Sequence, residues 1–267
     1  MGLQVTYYAS GLPDPGSGAR RALVASVVAI ALAGLGCGSP TQPSTSPARL
    51  SARPGKPTSY LPNGLQSLGL GSPGHDALLY VPSRAAPGRA LPFVLALHGA
   101  GGSASDQITL LSALAEKYGF YVLAVDSYSA TWDAIQDTYG RDAAFIDLAV
   151  QHAFDGCTVD PLRVAVEGFS DGASYALGLG LNNGDLFPRI VAFSPGFIPE
   201  VSTPPVGAPE LFISHGTRDF VLPIALTSRL IVPQLRRAGY DVTYLEFQGE
   251  HEVPPSVAET AVLWLIR

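Results

Sequence analysis

Six short apolar runs constrain what this chain can fold into. Leu91 to Leu97, Phe120 to Val125, Arg163 to Val166, Ile190 to Phe193, Leu211 to Ser214 and Val242 to Phe247 are four to seven residues long, the length of strands rather than helices. Leu91 to Leu97 is apolar at every position, as expected of a strand covered on both faces. Segments of helical period come after several of these runs. Residues 103–118 place Leu110, Leu111, Leu114 and Ala115 on one face, 141–154 place Ala144, Ile146, Leu148 and Ala149, and a terminal helix carries Val257, Ala261, Leu263 and Trp264. Strands alternating with helices predict an α/β fold with a mostly parallel central sheet and helices on both faces. Residues 65–71 and 77–81 read as a hairpin around Ser72-Pro73-Gly74. The connection from Ser194 to Pro209 is rich in Pro, Ser and Gly and has no helix-length segment, so no cap domain is expected there.

Between the run ending at Val166 and the helical segment starting at Ala173 stands Gly168-Phe169-Ser170-Asp171-Gly172. A Gly-x-Ser-x-Gly turn between a strand and a helix forces its central residue into a strained positive-φ backbone. The small residues on either side keep strand and helix apart. Ser170 is thereby raised at the carboxyl edge of the sheet, with the Asp171 N–H beside it.

A serine hydroxyl needs a base to take its proton, and the base needs a third group to fix its tautomer. In folds built on this turn the partners come in the order nucleophile, acid, histidine. His75, His98 and His152 precede Ser170, which leaves His215 and His251. Choosing His215 would make Asp185 the acid. Choosing His251 makes the acid Asp219, so that Ser170, Asp219 and His251 each end a different strand at one sheet edge, and this set is the expected triad. Asp219 as a helix N-cap and His251 as an exposed loop histidine are the structural alternatives. His98-Gly99-Ala100-Gly101-Gly102 comes after the first buried strand, and its backbone N–H groups at Ala100 or Gly101, together with Asp171 N–H, are candidate oxyanion donors. His98 is expected to brace that loop. Trp132, in the aperiodic stretch 127–140, is a candidate pocket wall or a packing aromatic.

These four motifs, with His215-Gly216-Thr217-Arg218-Asp219 and Gly249-Glu250-His251 as the last two, resemble the α/β-hydrolase superfamily. Within it the chain is most similar to phospholipase/carboxylesterase and polyhydroxybutyrate-depolymerase-like esterases. The resemblance spans about Leu65 to the end and implies ester hydrolysis through an acyl-enzyme, without cofactor. Asp171 departs from the small, apolar or Gln residue that many relatives carry. With no cap, short-chain esters or polymer ends are the expected substrates. A peptidase of the same fold and an inactive, ligand-binding surface lipoprotein are the alternative readings.

The 267 residues are 47 % apolar, enough for one substantial core. Charged residues make up 14 %, the formal charge is −6 and no Lys/Arg run occurs, which argues against a nucleic-acid partner. No His/Cys/Asp/Glu cluster has metal-ligand spacing, and a monomer is expected. Arg20-Arg21 followed by the apolar stretch Ala22 to Gly36 has the layout of an export signal, too short to span a bilayer comfortably. Residues 1–19 read as an extension upstream of the true start. Ala33-Gly34-Leu35-Gly36-Cys37 resembles a bacterial lipoprotein signal, with Gly34 where that pattern has Leu. Cys37 is therefore a candidate lipidation site, with plain secretion as the alternative. The expected division is signal over 1–36, a Ser/Pro/Gly-rich tether over 37–60 and a folded domain over 61–267. Loss of Arg20, Arg21 and Asp14 would leave the exported chain at a formal −7. Cys157 is expected to be a buried free thiol.

Overall fold

The strands track the apolar runs: β1 (Gly64–Ser67), β2 (Ala77–Val81), β3 (Leu91–Leu97), β4 (Tyr121–Val125), β5 (Val159–Phe169), β6 (Arg189–Phe193), β7 (Glu210–Gly216) and β8 (Val242–Phe247). The computed structural model describes residues 48–71, 75–202 and 205–267, all within one unit, Thr45–Arg267. The expectations for the signal, its upstream extension, Cys37 and the Ser72-Pro73-Gly74 turn lie outside the described residues. The helices are α1 (Ala104–Tyr118), α2 (Asp133–Gln136), α3 (Arg141–Gly156), α4 (Asp171–Asn182), α5 (Ser228–Arg237) and α6 (Pro255–Leu265), with a 3₁₀ turn at Ile224–Leu226.

The eight strands form one open sheet in the order β1-β2-β4-β3-β5-β6-β7-β8. β1 and β2 pair antiparallel, β2 pairs antiparallel with β4, and every other pair is parallel. Alternation along β3 divides the core. Phe93, Leu95 and Leu97 join the layer formed with α3, α4 and α5, while Val94 and Ala96 join the layer formed with α1 and α6. Helices on both faces explain why β3 and β4 carry no charged residue. Among the described residues, none between Phe193 and Glu210 is in a helix or strand, and no helix is long and apolar enough to cross a membrane.

Several boundaries differ from the sequence expectation, each for a local reason. β1 ends at Ser67 because the Asp76 carboxylate takes the N–H groups of Gly69 and Leu70, each at 3.0 Å, and curls the chain away from β2. The 3₁₀ turn Ile224–Leu226 is set off from α5 at Thr227, whose hydroxyl donates to the Pro223 carbonyl at 3.0 Å. The stretch expected as a tether packs on the domain from Ala48 onward. Ala48, Leu50 and Ala52 are buried in the core. Asp147 accepts from the N–H groups of Ser51 and Ala52, and Asp185 accepts from Arg49 and Arg53. Small apolar residues at alternate positions let this strap pack, and its high Ser, Pro and Gly content conceals them. Cys157 is a buried free thiol, pushed up to about 12 by burial.

Candidate active site

The turn between β5 and α4 brings strand and helix together as closely as backbone allows. A Cβ at Gly168 would come within 2.2 Å of the Gly172 carbonyl oxygen, and one at Gly172 within 2.1 Å of the Leu97 carbonyl oxygen. Only glycine fits either position. Ser170 between them has φ 57° and ψ −120°, a conformation that L residues rarely adopt. It is held by its N–H to the Phe193 carbonyl at 2.9 Å. The strain lifts its side chain off the sheet edge.

Its hydroxyl lies 2.9 Å from His251 Nε2, and His251 Nδ1 lies 2.6 Å from Asp219 Oδ2. A carboxylate can only accept, so Nδ1 carries the proton and Nε2 accepts from the serine. The Asp219 side chain is fully buried. Its Oδ1 takes the N–H groups of Val221 and Leu222 at 2.9 and 2.8 Å, so the carboxylate binds the turn just after it as well as the imidazole. The loops carrying Asp219 and His251 are joined by backbone. Thr217 N–H donates to the Phe247 carbonyl at 2.8 Å and Arg218 N–H to the Gly249 carbonyl at 2.9 Å. Gly216 approaches Glu250 so closely that a Cβ would lie 2.2 Å from its carbonyl oxygen. The Phe169 ring packs on His251, with centroids 4.8 Å apart. Ser170, Asp219 and His251 are thus brought together, while Asp185, the alternative acid, lies apart, paired with Arg49 and Arg53 of the strap.

The glycine loop after β3 lies against the serine: a Cβ at Gly99 would be 3.1 Å from Ser170 Cβ. Of its two candidate donors, Gly101 is corrected. Its N–H is spent on the Ala130 carbonyl at 2.6 Å. Ala100 N–H has no such bond among the described residues, and Asp171 N–H, in the first turn of α4, has no acceptor within the helix. His98 braces the loop as expected. Its Nε2 accepts from Ser127 N–H at 3.1 Å, so Nδ1 carries the proton and donates to the Gly99 carbonyl at 2.8 Å.

Trp132 as a pocket wall is also corrected. The indole has no exposed surface, its ring lies tilted against that of His98 with centroids 4.8 Å apart, and its N–H donates to the His98 carbonyl at 2.9 Å. It supports the glycine loop and presents no surface to solvent. The Asp171 side chain accepts from the Thr131 hydroxyl at 2.7 Å, which ties the 127–140 stretch to the elbow.

Two carboxylates that order this stretch were not among the residues singled out from the sequence. Asp142 takes the N–H groups of Tyr128 and Asp133, and Asp133 takes those of Gly140 and Asp142. Burial pushes the Asp142 carboxyl up. Asp133 and Asp137 in the stretch, with Asp142 just after it, are the signal that could have suggested backbone-capping carboxylates. Among the described residues no group of three or more His, Cys, Asp or Glu side chains could hold a metal ion. The arrangement can take a proton from a hydroxyl onto a neutral imidazole and hold the resulting imidazolium beside a buried carboxylate.

The model of the phospholipase/carboxylesterase family matches residues 120–261. A search of the curated proteins finds no match. Among solved structures, the chain is similar to esterase PE8, with 24 % identity, 70 % of this chain and 95 % of that one covered, and a TM-score of 0.55. It is also similar to an S-formylglutathione hydrolase from Staphylococcus aureus, with 14 % identity, 76 % and 99 % covered, and a TM-score of 0.63. An acetyl xylan esterase from Aspergillus awamori matches with 17 % identity, 76 % and 99 % covered, and a TM-score of 0.60. At these identities the likeness is one of fold.

Proposed function

The chain belongs to the phospholipase/carboxylesterase family of α/β-hydrolases, and from that premise we propose that it hydrolyses carboxylic esters through an acyl-enzyme formed on Ser170. Ser170 Oγ attacks the ester carbonyl carbon while its proton passes to His251 Nε2. The negative oxygen of the tetrahedral intermediate is held by the N–H groups of Ala100 and Asp171. The intermediate collapses by breaking the bond to the alcohol oxygen, which takes the proton from His251. Water then attacks the acyl carbon and gives its proton to His251, and the carboxylic acid leaves as Ser170 regains its hydrogen. Asp219 stays ionised throughout and stabilises the imidazolium.

The continuous line from Ser170 Oγ through His251 to Asp219, at 2.9 and 2.6 Å, carries this reading. The connection from β6 to β7, without helix or strand in its described part, favours an open site and hence short-chain esters or the ends of ester polymers as substrates. Arg20-Arg21, the apolar run after it and Cys37 support export, either lipid-anchored or secreted, and the protein is proposed to act as a monomer without a cofactor.

The test is labelling by a fluorophosphonate together with turnover of p-nitrophenyl esters of rising acyl length. Wild type is expected to label at Ser170 and to prefer short chains, and Ser170→Ala to lose both labelling and about 10⁶-fold in kcat. Full turnover by Ser170→Ala would sink the proposal.

A further inference from the structure

His215 lies outside the line from Ser170 to Asp219, yet it touches the carboxylate at its end. The ring is completely buried at the end of β7. Its Nε2 is 2.8 Å from the Leu222 carbonyl oxygen, which can only accept, so Nε2 carries the proton. Its Nδ1 then accepts the Ser228 hydroxyl at 2.7 Å. The same Nε2 stands 3.1 Å from Asp219 Oδ2, the oxygen that receives His251 Nδ1–H. Leu222 in turn donates its N–H to Asp219 Oδ1. Carboxylate, turn and buried ring therefore form a closed circuit.

Both polar ends of the His215 ring are used and no water reaches it. Burial holds its pKa below the usual histidine value, so the ring stays neutral. Its N–H edge acts as a fixed dipole beside Asp219. The charged groups that face this corner are Asp219 and His251 in the loops after β7 and β8, and Glu246, the register partner of His215 on β8. Glu246 is paired with Arg229 on α5. Glu250 and Glu252 flank His251 in sequence, and Glu252 accepts the Glu250 N–H.

We propose that His215 is a positioning residue for the acid of the triad: its N–H edge, which donates to the Leu222 carbonyl and stands 3.1 Å from Asp219 Oδ2, fixes the carboxylate and moderates its pull on the His251 proton. This rests on the Ser170-His251-Asp219 reading. Without the N–H edge, the undiminished negative charge of Asp219 favours imidazolium at His251. The acid limb of the pH–rate profile then moves to higher pH.

The experiment compares His215→Phe and His215→Gln in the full chain, with Ser170→Ala alongside. Phe removes the N–H, whereas the Gln amide can present one close to the position of Nε2. His215→Phe is expected to lower kcat between about 10- and 100-fold, as misplacement of a catalytic group does. KM should stay near wild type, the acid limb should rise, and His215→Gln should restore most of both. An unmoved limb and unchanged kcat in His215→Phe overturns the proposal. So do equal losses in Phe and Gln with an unmoved limb, which mark a packing role. Should His215→Phe fail to accumulate, His215→Asn replaces it, since its shorter amide cannot reach both partners, and equality of Asn and Gln in rate and limb is then the overturning result. Activity retained in Ser170→Ala would instead remove the triad reading itself.

Discussion

Gly172 rests on the end of β3 so closely that a single added methyl would lie 2.1 Å from the Leu97 carbonyl oxygen and 2.5 Å from that of His98. The elbow and the glycine loop are thereby one packed unit. Gly172→Ala must push them apart, at a cost of about 1–3 kcal/mol, typical of overpacking. Urea unfolding is expected to show that loss of stability. Because Ser170 and Ala100 would move relative to each other, fluorophosphonate labelling should slow as well, by more than the fraction unfolded explains.

Asp219 and Asp185 make a paired prediction. Asp219→Asn removes the anion that fixes the His251 tautomer and is expected to lower kcat by about 10⁴-fold. Asp185→Asn should leave kcat unchanged, because Asp185 holds the strap through Arg49 and Arg53. The two guanidinium groups keep the Asp185 carboxyl well below the usual carboxylate range. With its folded value depressed, its stabilisation is present above about pH 4 and fades as pH falls further. The site is partly exposed, so the loss at neutral pH is expected to be about 1 kcal/mol or less. Parallel kinetics and thermal melts read both halves.

Glu167, on β5 three residues before the serine, is 2 % exposed and neither carboxyl oxygen has a partner among the described residues. It faces an apolar layer that includes Val94, Phe120 and Val191, and burial pushes it from the usual 4.5 up to about 8. The folded state therefore holds this proton where the unfolded chain has released it. The associated stability is fully present below about pH 4.5, declines by about 1.4 kcal/mol per pH unit above that, and is gone once pH exceeds about 8. Denaturation midpoints measured across this range should fall with rising pH in wild type. In Glu167→Gln the slope should flatten, and an equal slope in the two proteins would contradict the assignment.

Trp132→Phe separates support from substrate contact. It removes the N–H that holds the His98 carbonyl and leaves most of the ring. We expect kcat to fall by roughly tenfold for every ester, through a displaced glycine loop, with no change in preference among acyl lengths. A changed preference would return Trp132 to the pocket wall.

Much of the fold was legible because its signals are local and strong. Leu91 to Leu97 and Val242 to Phe247 coincide with β3 and β8, since polar residues close each run within two positions, Arg89 and His98 for the first, Asp241 and Gln248 for the second. Ser170, Asp219 and His251 could be named as candidates because each stands just past a strand, and parallel strands deliver the loops at their carboxyl ends to one edge. The features that escaped depend on partners distant in sequence. The choice between Ala100 and Gly101 turns on the Ala130 carbonyl, 29 residues beyond Gly101. The role of Trp132 turns on a carbonyl 34 residues earlier. Packing of the strap relies on Asp147 and Asp185, about 96 and 136 residues further along the chain. Composition alone carries none of these pairings.

The backbone bonds between the loops after β7 and β8 bear on how this protein could be re-engineered. Thr217 to Phe247 and Arg218 to Gly249 are main-chain bonds, so the alignment of acid with base is encoded without the exposed side chains of Arg218, Phe220 and Glu250. Those three exposed positions lie in the same two loops as Asp219 and His251. A library built on them is expected to change substrate preference while the proposed proton pathway keeps its register.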